Sequence, residues 1–427
     1  MQTLITLPLF SYLRDKFAAD ELLRNVDFRR LWFSSALTQF GAQVTSLALP
    51  ICAVLMLHAT PAQMGTLAAL QSLPFLLFGL PAGVLLDRCR RLPVMIYSDS
   101  MLALALASVP LAYWMGALSM PWLYAIGFLM GTGSVFGGGA EQVYLTFLVG
   151  RDGLIDAQAK FGTTESAARL IGPGIAGVLV QLLTAPFAII ATVGGFALSL
   201  WNLRRIGVRE PQPAASDTHP VREMLDGLAF VWRHPLLRTL AWAAGVWHFL
   251  FYGYTALQVL FATRVLGMSP GVLGTAQMLG GVGLLASSML LKPMSRRYGS
   301  GTTILIGLCT TAAAFVLMPL LPPALFGSSA ATAVAYAIVV FLFDGGAMLF
   351  FLPYISLRQR VTPDAFLGRM VQTMRFLTVA TAPIGALAGG AVADRYSVRT
   401  GLACVAVGAV LLAVGMVFGS RLRKVND

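Results

Sequence analysis

The sequence is poor in charge and in the residues that usually form catalytic or metal sites. Charged residues make up 11% of the 427, and there are 4 cysteines and 4 histidines. The cysteines stand far apart, without CxxC or metal-ligand spacing, so we expect no disulfide and no metal centre. HExxH, GxSxG and GxxxxGK[ST] motifs are absent, which argues against an intramembrane enzyme and an ATP-driven pump. We therefore expect no catalytic residues and no cofactor.

Hydrophobic residues are abundant, at 57% of the chain, and the mean hydropathy is +0.77. A chain of this composition cannot hide its apolar surface in a water-soluble core, so lipid must be its main solvent. A membrane span needs about 20 apolar residues. We count twelve such stretches, at 31–57, 61–86, 93–116, 120–149, 163–184, 185–203, 240–263, 269–291, 302–321, 330–357, 376–393 and 400–419. The sequence predicts an all-α membrane protein with twelve transmembrane helices.

Positive charge is distributed unevenly between these stretches, and the formal net charge is +12. With the N-terminus inside, 25 of the 30 lysines and arginines fall in cytoplasmic segments. Arg264, Arg395 and Arg399 fall outside, while Arg169 and Arg375 fall within spans. This asymmetry follows the positive-inside rule, so the basic charge needs no nucleic-acid partner. It indicates a multi-pass protein of the bacterial inner membrane with both termini in the cytoplasm.

The chain divides into two similar halves around its widest gap between spans. The hexapeptide PAQMGT at Pro61 recurs as PGVLGT at Pro270, and Pro173 corresponds to Pro383 at a nearly equal offset. Several matching segments in the same order and at nearly the same offset indicate that the chain arose by duplication. Paired six-helix repeats around a cavity are typical of secondary transporters. The predicted segments are an N-terminal cytoplasmic segment (1–30), a six-helix bundle (31–203), a cytoplasmic linker with an amphipathic helix (204–239), a second six-helix bundle (240–419) and a cytoplasmic tail (420–427).

The loop between the second and third spans reads Gly83-Val-Leu-Leu-Asp87-Arg88-Cys-Arg-Arg91. It resembles the GxLaDRxGRR signature of the major facilitator superfamily, at the loop where that family carries it. The resemblance implies a cytoplasmic gate in which the aspartate and arginines pair in one conformation and separate in the other. The alternative is an ordinary basic inside loop.

The fifth span contains Gly172-Pro173-Gly-Ile-Ala-Gly177 after Arg169. This segment resembles the antiporter signature of drug-efflux members, in which proline permits bending and glycine permits close helix approach. The alternative is ordinary packing, since both residues are common in membrane helices. The segments MLDGLAFVWRHPLLRTL and VTPDAFLGRM resemble the linker and the loop after the tenth span in the branch that contains macrolide-efflux proteins and the enterobactin exporter. That resemblance implies the major facilitator fold.

Ionisable side chains within spans are functional candidates, because each costs about 2.5–3.5 kcal/mol at the bilayer centre on insertion scales. Asp344 lies near the middle of the tenth span and is our first candidate for proton coupling; a structural hydrogen bond is the alternative. Glu141 and Asp99 are further candidates that can instead anchor helix packing. Glu165 and Arg169, four residues apart, are expected to pair near the inner end of the fifth span and to reach the membrane surface.

Two polar or aromatic faces are candidates for the substrate path. Trp247, Phe251 and Tyr254 share one face of the seventh span, which can line a cavity or form an aromatic belt against lipid. Gln39 and Gln43 share a face of the first span, and a polar face within lipid usually points to the bundle interior.

The favoured function is proton-coupled efflux of a small amphipathic molecule, such as a drug, a macrolide-like compound or a siderophore. Uptake, or transport of lipid or lysophospholipid, is the alternative on the same fold. A non-transporting receptor would not need the gate motif. The expected partners are a small-molecule substrate, protons and the lipid bilayer, and we expect a monomer.

Overall fold

The computed structural model describes residues 21–150, 152–208, 210–211, 220–420 and 422, without the side chains of residues 21, 80, 84, 87, 220–225, 364, 365 and 368. Most of the predicted N-terminal segment 1–30, the middle of the linker and most of the tail therefore lie outside the described residues. Within the described part the chain is almost entirely helical, as expected where every backbone amide in lipid must be paired within its own segment.

The first half consists of six long helices. They are α1 (Val26–Ile51, continued by a π-helical turn at Cys52–Met56), α2 (Pro61–Arg88), α3 (Arg91–Trp114), α4 (Met120–Val149), α5 (Leu154–Leu183) and α6 (Ala185–Arg204). Asn25 begins α1, where its side chain accepts hydrogen bonds from the amides of Asp27 and Phe28. Thr60 and Gln63 form a capping box at the start of α2, followed by a proline at the first helical position.

The second half repeats this arrangement after a short amphipathic helix. The helices are α7 (Pro220–Arg233), α8 (Pro235–Leu260, continued by a π-helical turn at Phe261–Val265), α9 (Pro270–Tyr298), α10 (Ser300–Leu320), α11 (Ser329–Arg360), α12 (Asp364–Val379), α13 (Ala382–Arg395) and α14 (Val398–Gly419). Helices α12 and α13 together form one span, which is broken ahead of Pro383.

Ten segments of the described chain are long and apolar enough to cross a membrane. Helices α2 and α8, of 28 and 26 residues, are also long enough. With them the bundle has twelve spans in two six-helix halves, and the predicted fold class is confirmed.

Several spans begin earlier than their apolar stretches predict, and α8 and α5 are two examples. Helix α8 begins at Pro235 rather than residue 240, because His234 caps it and a proline stands at its first position, although Arg238 lowers the local hydropathy. Helix α5 begins at Leu154 rather than residue 163. Charged and polar residues extend both helices beyond the hydrocarbon, where hydropathy gives no signal.

The two ends of the bundle differ in how the halves meet. We call the end that carries α7 the linker end and the opposite end the far end. At the far end, Arg264 donates from Nη1 to the carbonyl oxygen of Ala59 and from Nη2 to that of Val54, each at 2.8 Å. The amide of Gly271 donates to Gln181 Oε1 at 2.9 Å. These bonds join the halves and close the far end.

Glycine pairs let the halves approach closely at two crossings. A Cβ added to Gly65 of α2 would lie 2.9 Å from Gly390 Cα of α13, and one added to Gly177 of α5 would lie 2.9 Å from Gly274 Cα of α9. Real Cβ atoms do not approach another atom so closely, so side chains at these positions would force the helices apart. Gly65 and Gly274 occupy matching positions in the two repeats, which makes the closure symmetrical.

We predict that Gly65→Leu lowers the melting temperature of the purified protein, since overpacking at a close crossing costs about 1–3 kcal/mol. Gly194→Leu on α6 is the matched control, because a Cβ there meets nothing within 4 Å. Thermal unfolding followed by intrinsic fluorescence measures both. An equal shift in the two variants would contradict the close crossing.

Candidate functional site

A cavity of about 210 Å³ lies between the halves near the middle of the bundle. Its polar lining comes from both halves and includes side chains of α1, α5, α8, α9 and α11. The residues are Gln43, Arg169, Thr255, Gln258, Gln277 and Asp344. Gln258 Nε2 donates to Tyr336 Oη at 3.0 Å, which fixes the amide against α11. We call this space the central cavity.

Asp344 is the sixteenth of the 32 residues of α11, and it lines the central cavity. Its carboxylate packs against the backbone of α9 at Gly280, where an added Cβ would collide with Oδ2. Among the described residues, no lysine, arginine or histidine nitrogen forms an ion pair with Asp344 within 4.0 Å. Arg169 lines the same cavity and supplies the nearest compensating charge in its lining.

The pairing of Glu165 with Arg169 is confirmed, and the structure places the pair beside the central cavity. Arg169 Nη2 lies 2.9 Å from Glu165 Oε1. Arg169 is the sixteenth of the 30 residues of α5, whose first two turns extend beyond the apolar stretch. The pair adjoins the central cavity, where its two side chains are half exposed.

The aromatic face of α8 packs inward against α11. The Trp247 and Phe251 rings stack with centroids 5.0 Å apart, and Phe251 and Tyr254 lie 5.8 and 5.4 Å from the ring of Phe343. Trp247 and Tyr254 are buried, which contradicts the alternative of a lipid-facing aromatic belt. Phe251 and Tyr254 reach the central cavity, whereas Trp247 packs between them and Phe350.

Glu141 and Asp99 belong to a hydrogen-bonded network inside the first half. Ser35 donates to Glu141 Oε1 at 2.8 Å, and Gln39 Nε2 donates to the Ser35 hydroxyl at 3.2 Å. Ser199 of α6 donates to Asp99 Oδ2 at 2.6 Å and also shares a hydrogen bond with Ser34, the neighbour of Ser35 on α1. The network joins α1, α3, α4 and α6, so these two carboxylates lie apart from Asp344. Gln39 belongs to this network, and Gln43 to the central cavity.

The gate-motif residues lie at the linker end of α2 and the start of α3. Arg88 is exposed, and the side chain of Asp87 lies outside the described residues. Gly83 lines a second cavity, which is described below. Arg91 forms an ion pair with Glu210, with Nη1 and Oε1 3.4 Å apart. Glu210 also accepts hydrogen bonds from the amides of Arg91 and Leu92, at 2.5 and 3.2 Å. A buried carboxylate therefore caps α3 from the segment that follows α6.

The helix-5 motif lies against α9 of the other half. The Pro173 carbonyl and Gly177 both contact Gly274, whereas Gly172 packs against the Gln43 side chain of α1. Arg169 stands one turn nearer the linker end and faces the central cavity. The motif thus supplies the close inter-half crossing and one wall of the cavity.

The second cavity, of about 380 Å³, lies between α2 and α4 of the first half and α12 of the second. Its lining mixes two aromatic rings, two glutamines and one arginine with small apolar residues. The residues that define it are Phe75, Gly83, Gln142, Gln372, Arg375 and Phe376. We call it the linker-end cavity.

Sequence reasoning missed Glu210 and the place of Arg375 in the lining of the linker-end cavity. The gate motif pointed to its own aspartate as the partner of its arginines, and Glu210 comes 119 residues after Arg91, so spacing gives no signal. Arg375 was recognisable as a charge within a span but stood outside every motif. No group of three or more His, Cys, Asp or Glu side chains in the described residues could hold a metal ion.

We predict that Glu210→Gln destabilises the protein by about 1–2 kcal/mol, because it removes the negative charge that caps α3 and pairs with Arg91. The melting temperature should fall, whereas Asp226→Asn on the exposed face of α7 should leave it unchanged. Thermal unfolding at neutral pH measures both variants. Equal melting temperatures for Glu210→Gln and the parent protein would contradict the capping role.

The fold and motifs agree with comparisons to known proteins. Residues 31–383 match the family model described as Major Facilitator Superfamily. The chain is 27% identical to the multidrug efflux pump Tap of Mycolicibacterium fortuitum, over 92% of this chain and 96% of that one. It is 21% identical to macrolide efflux protein A of Streptococcus pyogenes, over 77% and 80% of the two chains. A crystal structure of a mutant of the nucleoside transporter NupG superposes with a TM-score of 0.73 at 14% identity, covering 92% of this chain and 99% of that one. The chain is thus a transporter rather than an enzyme, and it belongs to the major facilitator superfamily.

Proposed function

We propose that this chain is a proton-coupled exporter of a small amphipathic molecule, such as a drug, a macrolide-like compound or a siderophore. The observation that carries the proposal is Asp344, a carboxylate at mid-depth in a cavity between two halves, without an ion-pair partner among the described residues. The efflux relatives support the direction of transport, since two proteins similar to this chain are named as drug or macrolide efflux proteins.

Proton coupling follows from the cost of charge in the membrane interior. An ionised carboxylate at mid-depth is expensive, and binding a proton removes that cost. The ionised carboxylate of Asp344 favours an arrangement of α11 and α9 in which it faces the central cavity. Protonated Asp344 has no such requirement and therefore favours a different arrangement of the two helices. The Glu141 and Asp99 network is the second candidate for this role, because both carboxylates accept serine hydrogen bonds within the first half.

The orientation that we propose puts the linker end in the cytoplasm, as the positive charge of the inside segments favours. The far end is closed by the Arg264 and Gln181 hydrogen bonds and the glycine crossings. The linker-end cavity then opens toward the cytoplasm, so a substrate enters there. Rocking of one half against the other would open the far end for release. One chain supplies both cavities, and we propose that it acts as a monomer.

In the same proposal, Gly83, Asp87, Arg88 and Arg91 form the cytoplasmic gate. Helices α2 and α12 already contact each other in this structure. Closure of the linker end would bring the gate residues at the end of α2 closer to α12. Opposite charges at helix ends can pair in the closed state and separate in the open one. The Arg91 and Glu210 pair holds α3 within the first half, so that this half moves as a rigid unit.

Uptake is the competing function, because NupG is named as a nucleoside transporter and shares the fold. A fold does not determine the direction of transport. Lipid or lysophospholipid movement would use the same cavities. Substrate-driven proton movement separates these functions.

We predict that substrates of the exporter release protons from inside-out vesicles that contain the parent protein, and that Asp344→Asn abolishes this proton flux. An asparagine keeps the size of the side chain but cannot exchange a proton. The measurement is a fluorescent pH probe in vesicles challenged with macrolides, cationic dyes and catechol siderophores. Asp152→Asn, in the exposed turn before α5, is the matched control and should retain the flux.

Flux that persists in Asp344→Asn would move the coupling site to Glu141 or Asp99. No flux with any compound in the parent protein would refute proton-coupled efflux and favour uptake or lipid transport.

We predict that Asp87→Asn slows transport several-fold while leaving substrate affinity largely intact, because the gate acts in the conformational change rather than in binding. Initial transport rates in vesicles and equilibrium binding to the purified protein measure the two properties separately. Unchanged transport in this variant would contradict the gate assignment.

A further inference from the structure

Arg375 is an intramembrane cation that neither the gate nor the proposed proton coupling uses. Its guanidinium carbon lies 6.0 Å from the ring centroid of Phe75, across the boundary between the halves. Phe75 is the fifteenth of the 28 residues of α2, so this contact lies at mid-depth. An arginine at this depth is costly unless it faces water, a ligand or an opposite charge.

The structure describes no opposite charge for Arg375. No described carboxylate oxygen lies within 4.0 Å of it. Asp87 follows Phe75 by twelve residues, about 18 Å along α2 at the helical rise, so it cannot pair with Arg375 at this level. Glu141 of α4 turns away from the cavity and accepts from Ser35 of α1.

The surroundings of Arg375 have the composition of a binding site for an amphipathic ligand. Gln142 and Gln372 line the linker-end cavity together with Arg375. Phe75 and Phe376 provide aromatic surface, and the cavity extends from Phe75 to Leu86, about 16 Å along α2 toward the linker end. Aromatic walls with a few convergent polar groups are typical of small-molecule sites.

We propose that Arg375 binds the anionic group of an amphipathic substrate, such as a carboxylate, phosphate or sulfonate, whose apolar body lies along Phe75 and Phe376. This inference rests on the proposed export function and narrows its substrate class to amphipathic anions. Arginine presents a planar fork of donors that matches such groups. The glutamine amides donate further hydrogen bonds. Because α2 and α4 belong to the first half and α12 to the second, the shape of this site changes when the halves move relative to each other.

The test is calorimetric binding to the purified full chain in phosphatidylcholine nanodiscs, with empty nanodiscs as the blank. The probes are 1-naphthoate and 1-naphthylmethylammonium, which differ mainly in the sign of their charge. The variants are Arg375→Gln and Arg375→Lys. Arg395→Gln is the matched control, because Arg395 lies at the far end of α13 against Tyr396.

The parent protein and Arg395→Gln should bind naphthoate with equal affinity and more tightly than the ammonium probe. Arg375→Gln should lose about tenfold or more in naphthoate affinity, whereas Arg375→Lys keeps the charge and should lose less. If Arg375→Gln fails to fold, the parent protein still provides a test, because its affinities for naphthoate and for the ammonium probe can be compared without any variant. Equal naphthoate affinity in Arg375→Gln, or no naphthoate binding by the parent protein, would overturn the inference.

Nanodiscs that contain phosphatidylglycerol distinguish the source of the anion. At high ionic strength, which screens the surface charge of the bilayer, weaker naphthoate binding in them would identify a lipid phosphate as a natural occupant of the same site, and unchanged binding would favour a free amphipathic anion. Binding is measured without a proton gradient. The two proposals can therefore fail separately. If Arg375→Gln loses naphthoate affinity but the parent protein shows no proton flux in vesicles, the proposed proton coupling is refuted and the anion site is retained.

Discussion

The cost of placing charge and unpaired backbone in hydrocarbon is the constraint on which this structure depends. It makes every span a helix, and it confines most lysines and arginines to the helix ends and connecting segments. The charges that lie within the bundle fall into two groups. Asp344, Arg375 and the Glu165 and Arg169 pair line or adjoin spaces between the halves, whereas Asp99 and Glu141 lie inside the first half and accept serine hydrogen bonds there. The same energetic rule therefore shapes the scaffold and marks the cavities between the halves as candidate sites for substrate and protons.

Polar hydrogen bonds join the helices of the first half into one unit. Serine hydrogen bonds to Asp99 and Glu141 join α1, α3, α4 and α6 into one unit, and Glu210 ties the start of α3 to the segment after α6. Between the halves, contact rests on glycine crossings and on bonds such as that of Arg264. A first half held together in this way, which meets the second along α2 with α13 and α5 with α9, suits rigid-body rocking better than internal rearrangement.

Sequence reasoning predicted the fold because lipid solvation leaves a strong, local signal of apolar stretches and loop charge. It also selected Asp344 as a candidate, since a carboxylate in the middle of an apolar stretch is recognisable without a structure, and the structure places this residue in the central cavity. It did not reveal that Arg169 lines the same cavity, because that depends on how α5 packs against the other half. It missed Glu210 and the setting of Arg375, whose partners come from distant segments or from the other half. Pairings of that kind depend on tertiary packing, which one sequence without relatives does not reveal.

The two ends of the bundle differ in their chemistry, and this difference bears on how a ligand can act. At the far end the halves meet through glycine backbones, through bonds such as Arg264 to Ala59, and through the Asp394 carboxylate of α13, which accepts a hydrogen bond from the amide of Ala62 in α2 at 3.3 Å. The linker end carries the gate arginines and the cavity around Arg375, where charge dominates. Charge therefore contributes at both ends of the bundle, whereas Asp344 and Arg375, which have no ion-pair partner among the described residues, lie in the cavities between the halves. A ligand changes the equilibrium only through its different affinity for the two states, and the charged side chains at mid-depth are where such a difference can arise.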